Sequence, residues 1–156
     1  GIYGWWFSKW PDIIPNELIE TAPLIDNLRL LYVGIAPGYS SSQRTLRDRM
    51  KNHCGGPIGS STLRRTLACM LIRHAVAVRR PGGRLTLERE NEIWLTSWMN
   101  ENTRICWFPI EKPWNHEARL LERNCPPLNM HRSNPFRSRL KELRAMDLEN
   151  NWQRVT

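Results

Sequence analysis

The sequence predicts a small α/β fold, more closely an α+β sandwich, in which a short central three-stranded sheet is flanked by helices and followed by a C-terminal helical extension. Three observations lead to this prediction. The chain has 156 residues, which is enough for one hydrophobic core. Three short segments are rich in aromatic and β-branched residues, as strands are. Longer segments carry apolar residues at helical spacing.

The three strands are expected at residues 1–8, 29–35 and 103–110. The first two contain the runs GIYGWWF and LLYVGIA, each with a glycine close to a tyrosine, and the third, TRICWFPI, alternates between two faces. Prolines between the first two strands predict a long irregular connection with a helical turn at NELIET. Most of the eight tryptophans are expected in the core, including Trp5, Trp98 and Trp107, while Trp10 and Trp152 are candidates to stack on a base.

Helices are expected at residues 43–53, 62–75, 87–102 and 114–124, and a last one after Asn134-Pro135. The serines of the loop APGYSSSQ, Ser41 and Ser42, are available as caps of the first helix. The stretch GGPIGSS ends that helix and caps the second. In the second helix, an inward-facing stripe follows the i, i+4, i+7 spacing: Leu63, Leu67, Met70, Leu71 and His74.

The charge balance favours a polyanionic partner. Lysine and arginine number 23 against 15 acidic residues, which gives a formal charge of +8 and a pI near 9.9. No stretch approaches the roughly 20 apolar residues that span a bilayer, so no membrane association is expected. The four cysteines lack C-x-x-C spacing and no leader pattern precedes the first strand, which together predict free thiols and a cytoplasmic location.

Charged residues interrupt the apolar stripes of two helices. In LRDRMKNH, Arg49 and His53 share a helix face with Leu46 and Met50. After Pro113, the carboxylate of Glu117 falls on an apolar stripe that also holds a tryptophan, an alanine and a leucine. A charge on such a stripe is costly unless it is paired or bound to a metal. One interpretation is structural, with an Arg49–Glu117 ion pair and a neutral core histidine; the other is a functional site.

In chain order, these residues resemble the GIY-YIG nuclease superfamily. The elements that carry the resemblance are Gly1-Ile2-Tyr3, Tyr32-Val33-Gly34, Arg49 with His53 one turn later, Glu117 and Asn129. The resemblance covers roughly residues 1–130, which we expect to form the nuclease domain, with residues 131–156 as a helical extension of the same domain. The sequence departs from the usual family pattern at one point: Tyr32 and Arg49 are seventeen residues apart, which is longer than the usual spacing. We therefore expect the segment PGYSSSQRT to form a loop. Arg44 and Arg47 fit the helix arginine less well, because Arg49 alone precedes His53 by one turn.

The resemblance implies a metal-dependent endonuclease that hydrolyses phosphodiester bonds in DNA. It implies that Glu117 holds Mg²⁺ or Mn²⁺ and that Arg49 offers its planar fork to the phosphate oxygens. Tyr3 is the expected acceptor of the proton from water, although His53 could be that base or relay the proton. Tyr32 would orient water or phosphate, Gly34 would permit close approach to the nucleic acid, and Asn129 would brace the site rather than react.

Three arginines outside this constellation are candidate phosphate contacts: Arg64, Arg65 and Arg137. For each of them, a solvated helix face is the alternative. The main rival for the whole chain is a module of the same fold that binds nucleic acid without cutting it, and a third interpretation is an interaction domain. The sequence does not decide whether the nucleic acid is DNA or RNA. It also does not decide whether the protein is a monomer or a homodimer.

Overall fold

The structure, a computed structural model, describes residues 1–72, 77–79, 85–150 and 152–154, and for residues 77–79, 146–150 and 152–154 it describes the backbone alone. The strands are β1 (Ile2–Phe7), β2 (Leu24–Ile25), β3 (Leu28–Ile35), β4 (Ala77–Arg79), β5 (Thr86–Leu87), β6 (Thr103–Phe108) and β7 (Trp152–Arg154). The helices are α1 (Asn16–Thr21), α2 (Leu46–Gly55), α3 (Thr62–Leu71), α4 (Arg89–Asn102), α5 (Trp114–Asn124) and α6 (Arg137–Asn150).

The main sheet is antiparallel, with the strand order β2-β3-β1-β6. The three strands expected from the sequence, β3, β1 and β6, are adjacent in this sheet, and the two-residue strand β2 adds an edge that the sequence did not predict. The sequence also did not predict a second, smaller sheet, which has the strand order β5-β4-β7. Tyr3 on β1 is paired with Gly34 on β3 and with Trp107 on β6, so these three residues share one face of the main sheet. The predicted α+β class is confirmed.

The sheet packs helices against both of its faces. On one face, alternate β1 side chains (Tyr3, Trp5 and Phe7) join a core that includes residues of α3, α4 and α6. On the other face, Leu121 of α5 packs against Leu30 and Val33 of β3. This second contact brings the start of α5 to the end of β3. Phe136 and Leu140 belong to the first core, so the C-terminal segment packs onto it, while the domain boundary at residue 130 stays a prediction.

Helix α2 begins at Leu46, three residues later than predicted, because its cap is Thr45. The Thr45 side chain accepts from the Asp48 backbone N–H at 3.2 Å, and the Asp48 carboxylate accepts from the Thr45 backbone N–H at 2.9 Å. This reciprocal capping box satisfies two otherwise unpaired donors, so Ser41 and Ser42 are not the caps. Helix α3 is capped by Ser61 as expected, and the end of its predicted stripe, His74, lies outside the described residues.

The tryptophan prediction is right for Trp5 and wrong for Trp107. Trp5 is buried, Trp98 is half-buried against the core, and Trp107 is 65% exposed. Trp107 lies near the end of β6, an edge strand of the main sheet, which leaves one side of the strand without a neighbouring strand. Trp10 packs partly against the core, and the side chain of Trp152 lies outside the described part of the chain.

Candidate active site

A polar cavity of about 360 Å³ opens at the end of the main sheet, where β1 begins and β3 ends. Six of the residues predicted from the sequence line it: Tyr3, Tyr32, Gly34, Arg49, Glu117 and Asn129. They come from β1, β3, α2, α5 and the loop that follows α5. The tertiary structure therefore brings together side chains that are up to 126 residues apart in the sequence, from Tyr3 to Asn129.

Tyr3 and Gly34 explain why each strand couples a glycine to a tyrosine. A Cβ built on Gly34 would overlap the hydroxyl oxygen and Cζ of Tyr3. The Tyr3 ring therefore lies across the backbone of β3 only because residue 34 has no side chain. The Tyr3 ring packs in the space beside Gly34, and this packing is a structural reason for a glycine at position 34 that requires no contact with nucleic acid.

The Tyr3 hydroxyl lies at the centre of a buried polar cluster. It lies 2.8 Å from Nε2 of His53 and accepts from Nε of Arg49 at 3.3 Å. The rings of Tyr3 and Tyr32 have centroids 6.5 Å apart. Burial raises the pKa of Tyr3, and the charge and hydrogen bond of Arg49 oppose that effect without overcoming it. Burial raises the pKa of Tyr32 as well, so both phenols are protonated at neutral pH.

His53 lies behind Tyr3 and away from the cavity. Its side chain is 0% exposed, and its Nδ1 lies 2.6 Å from Oγ of Ser61, the cap of α3. Burial, together with the positive charges of Arg49 and Arg64, lowers the pKa of His53 from 6.5 to about 3. The imidazole is therefore neutral at physiological pH and has no direct access to a water molecule in the cavity.

Arg49 and Glu117 line the same cavity without pairing with each other. Within the described part of the chain, the ion pairs within 4.0 Å are Arg64–Glu92, Arg132–Glu122 and Arg139–Glu142. The structural interpretation of Arg49 and Glu117 as an ion pair is therefore wrong. A guanidinium and a carboxylate that face one cavity without satisfying each other are both left able to interact with a ligand.

Glu117 lies in the first turn of α5 and is the one carboxylate among the residues that line the cavity. Burial raises its pKa, and the charges of His131 and Arg49 act in the opposite direction. No group of three or more His, Cys, Asp or Glu side chains suited to a metal occurs among the residues described. A single carboxylate in a polar cavity does suit Mg²⁺, which keeps several waters and often binds through one or two carboxylates plus phosphate oxygens.

Asn129 braces the end of β3. Its Oδ1 accepts from the Val33 backbone N–H at 2.9 Å, and its Nδ2 donates to the Val33 carbonyl at 2.7 Å. Strand β2 pairs only with residues 28 and 29, so it does not reach this part of β3. The amide of Asn129 satisfies both backbone groups of Val33 in place of a neighbouring strand and thereby fixes the residues on either side, Tyr32 and Gly34.

Arg64 is not a surface residue, contrary to the sequence-based prediction. Its side chain is 0% exposed and donates to the Glu92 carboxylate at 2.7 Å and to Thr96 Oγ1 at 3.0 Å. The burial follows from spacing, since Arg64 shares a helix face with Leu67 and Leu71 at i, i+3 and i+7. That spacing was readable in the sequence and could have identified Arg64 as a core residue.

The other two arginines predicted to contact phosphate are half-buried. Arg65 on α3 lies close enough to Arg144 on α6 for its charge to lower the pKa of Arg144, an effect second to burial. Arg137 donates from Nε to the Met130 carbonyl at 3.2 Å. Neither Arg65 nor Arg137 lines the cavity.

The loop between β3 and α2 supplies cavity residues that the motifs did not identify. Tyr39, Ser42 and Arg44 line the cavity. The only signal for them in the sequence is the length of the gap between Tyr32 and Arg49. Arg47, the other arginine weighed for the helix position, is exposed and does not line the cavity.

The comparison with known families identifies the family of the chain. A family model described as the GIY-YIG catalytic domain matches residues 1–146. The chain belongs to the GIY-YIG family. No curated protein and no solved structure matches it significantly. GIY-YIG membership gives the chain a nuclease-type fold and indicates nucleic acid as its substrate class. None of the helices described is long and apolar enough to cross a membrane.

Proposed function

We propose that this GIY-YIG domain is an endonuclease that hydrolyses phosphodiester bonds in DNA with the help of Mg²⁺ or Mn²⁺. The observation that carries the proposal is the convergence of Tyr3, Arg49 and Glu117 on one polar cavity, where Arg49 and Glu117 do not pair with each other. Hydrolysis of a phosphodiester requires an activated water, stabilisation of charge at phosphorus, and help for the departing oxygen.

Arg49 is the proposed phosphate ligand. Its guanidinium is always charged and presents several donors in one plane, which matches the non-bridging oxygens of a phosphate. The bond from its Nε to Tyr3 at 3.3 Å orients the fork toward the phenol that would receive the proton from water. The Arg49 side chain thus links the position of the phosphate to the position of the Tyr3 hydroxyl, the proposed general base.

Tyr3 is the proposed acceptor of the proton from water, and His53 is the proposed acceptor of the phenolic proton. As Tyr3 Oη accepts the proton of the attacking water, the phenolic proton moves to Nε2 of His53, 2.8 Å away, while Nδ1–H of His53 donates to Ser61. In the free protein, Arg49 disfavours a protonated imidazole. A phosphate bound to Arg49 offsets that repulsion, so the transfer becomes easier when substrate is present.

Glu117 is the proposed metal ligand. A divalent ion bound there would stabilise negative charge on the phosphate and on the departing alkoxide. Tyr32 would hydrogen-bond the water or the phosphate, and Asn129 would hold β3 in place. Arg65 and Arg137 remain candidate contacts to more distant phosphates, where they would contribute affinity without sequence specificity.

The decisive experiment compares Glu117→Gln with a matched control, Glu122→Gln, on the same helix. Glu122 is exposed, and its carboxylate lies 3.8 Å from the Arg132 guanidinium. Plasmid, linear duplex, single-stranded DNA and RNA would be incubated with Mg²⁺, Mn²⁺ or chelator. We expect DNA cleavage that requires the ion, is lost in Glu117→Gln and is retained in Glu122→Gln. Cleavage by Glu117→Gln at the wild-type rate would refute the assignment.

The alternative function, a nucleic-acid-binding module without catalysis, predicts a different pattern in the same assay. Binding would then fall with rising salt, and neither the ion nor chelator would produce or abolish any cleavage. The convergence of Tyr3 and Arg49 with an unpaired Glu117 favours the enzyme, because binding alone does not need a carboxylate facing the phosphate.

We also propose a cytoplasmic location. The side chains of Cys54, Cys106 and Cys125 are thiols outside any disulfide, as a reducing compartment would keep them. Fractionation of cells that express the protein would test the location. A homodimer remains an open hypothesis that sedimentation at several protein concentrations would decide.

A further inference from the structure

The loop between β3 and α2 places an exposed aromatic ring at the mouth of the active-site cavity. Tyr39 lines the cavity together with Tyr3, Arg49 and Glu117, yet 64% of its surface is exposed. The chain has three tyrosines, and the other two are buried. An aromatic ring that is exposed at the rim of a polar cavity is open to stacking contact with a ligand bound there.

Hydrogen bonds within the loop hold the backbone that carries this ring. The Ser42 backbone N–H donates to the Tyr39 carbonyl at 3.1 Å, which closes a turn, and the Ser42 hydroxyl accepts from the Arg44 backbone N–H at 3.4 Å. The next residue, Thr45, forms the capping box of α2. The loop is therefore joined directly to the helix that carries Arg49, so the backbone of Tyr39 is tied to the element that carries the proposed phosphate ligand.

Arg44 supplies a charge on the same loop. It lines the cavity, its side chain is exposed, and it has no ion pair within 4.0 Å in the part of the chain that the structure describes. An aromatic ring and a guanidinium five residues apart on one loop match the two parts of a nucleotide: a base that stacks and a phosphate that binds a cation.

We infer that Tyr39 and Arg44 form a subsite for the nucleotide next to the scissile phosphate, with Tyr39 stacked on its base and Arg44 bound to its phosphate. This inference rests on the proposed function and narrows its substrate class. A base inside a duplex has both faces covered by its neighbours and is not open to the ring of Tyr39. The preferred substrate is therefore a strand with an unpaired nucleotide at this position, as in single-stranded or gapped DNA.

The test of the stacking contact is a binding measurement in chelator, where no cleavage takes place. The probes are a fluorescent single-stranded oligonucleotide, the same strand with one abasic site at each position in turn, and the fully paired duplex. Wild type should bind the single strand more tightly than the duplex. Tyr39→Ala should weaken binding to the single strand by about fivefold to 150-fold, and Tyr39→Phe should restore it.

The abasic series identifies the stacked base. At one position, loss of the base should weaken wild-type binding by a similar factor and should have little further effect on Tyr39→Ala. Trp94→Ala is the matched control, since Trp94 is an exposed aromatic residue on α4 that does not line the cavity. Equal affinities of Tyr39→Ala and wild type for the single strand would overturn the stacking contact.

The phosphate contact has its own measurement. Arg44→Ala should reduce the slope of log affinity against log salt by about 0.7, the value for one phosphate contact on a single strand. Arg47→Ala, an exposed neighbour outside the cavity, should leave the slope nearly unchanged. An unchanged slope in Arg44→Ala would refute this contact.

These outcomes separate the subsite from the proposed function. A wild-type protein that cleaves DNA while Tyr39→Ala and Arg44→Ala bind normally would overturn the subsite alone. A wild-type protein that neither binds nor cleaves any of the nucleic acids would overturn both proposals.

Discussion

The end of the Tyr3 ring occupies the space that a Cβ on Gly34 would fill. This contact joins β1 to β3 at the point where the cavity opens, and it sets the position of the hydroxyl that meets Arg49 and His53. Each of the two signature motifs of the family thus contributes one side of a single packing contact.

Gly34→Ala should therefore displace Tyr3. We expect a loss of about 1–3 kcal/mol in the free energy of unfolding, since an added methyl in a filled site forces its neighbours to shift, and a fall in kcat at temperatures where the variant is folded. Gly55→Ala is the matched control, because a Cβ there meets no atom within 4 Å. Denaturant unfolding and single-turnover cleavage would measure the two effects, and full activity in Gly34→Ala would contradict this account.

Stability should fall on acidification because of His53. Its pKa is about 3 in the folded protein and 6.5 ordinarily, so the unfolded state binds the proton more readily. The neutral His53 side chain makes its full contribution to the free energy of unfolding above pH 6.5. This contribution decreases as the pH falls from 6.5 toward 3, and the loss is about 4 kcal/mol at pH 3. His53→Gln should lack this component, so the difference between its unfolding curve and that of wild type should change with pH over this range. A constant difference would show that His53 titrates normally.

Arg49→Ala should lower kcat by about 100-fold to 1000-fold, the usual effect of removing one group that stabilises transition-state charge. Arg49→Lys should recover only part of the rate, because an ammonium group does not reproduce the planar fork. Arg47→Ala, on the exposed face of the same helix, should keep near-normal activity. If Arg49→Ala raised KM without lowering kcat, Arg49 would be a binding residue only.

Asn129→Ala should destabilise the protein by about 1–3 kcal/mol, because it leaves the buried N–H and carbonyl of Val33 unpaired. Asn115→Ala, on the exposed surface of α5, is the control and should change stability by less than about 0.5 kcal/mol. Hydrogen exchange at the Val33 amide would locate the effect. Unchanged protection of that amide in Asn129→Ala would show that Asn129 does not brace β3.

Arg64→Ala should lower the free energy of unfolding by about 3–5 kcal/mol, because it leaves the Glu92 carboxylate without its buried partner. The exposed pair Arg139–Glu142 is the control, and Arg139→Ala should cost less than about 1 kcal/mol. Under conditions where Arg64→Ala is folded, its salt dependence of DNA binding should equal that of wild type. A smaller slope of log affinity against log salt in Arg64→Ala than in wild type would show that Arg64 does contact a phosphate.

The sequence by itself predicted most of the elements and six of the residues that line the cavity. Periodicity is local, so the spacing of apolar residues predicted helices and strands that differ from the structure mostly at their ends. The same spacing placed Arg49 and Glu117 on stripes where an isolated charge is costly, and the order of the motifs identified Tyr3, Tyr32 and Asn129.

Only the tertiary structure decided what each side chain faces. Arg64 and Arg65 are neighbours in the sequence, but α3 turns the first into the core, where Glu92 meets it. Trp107 follows a pattern typical of a buried strand, yet β6 is an edge strand and leaves it exposed. Tyr39 gained a place beside the cavity because its loop packs back toward the site. Exposure depends on contacts between distant parts of the chain, and local spacing does not encode those contacts.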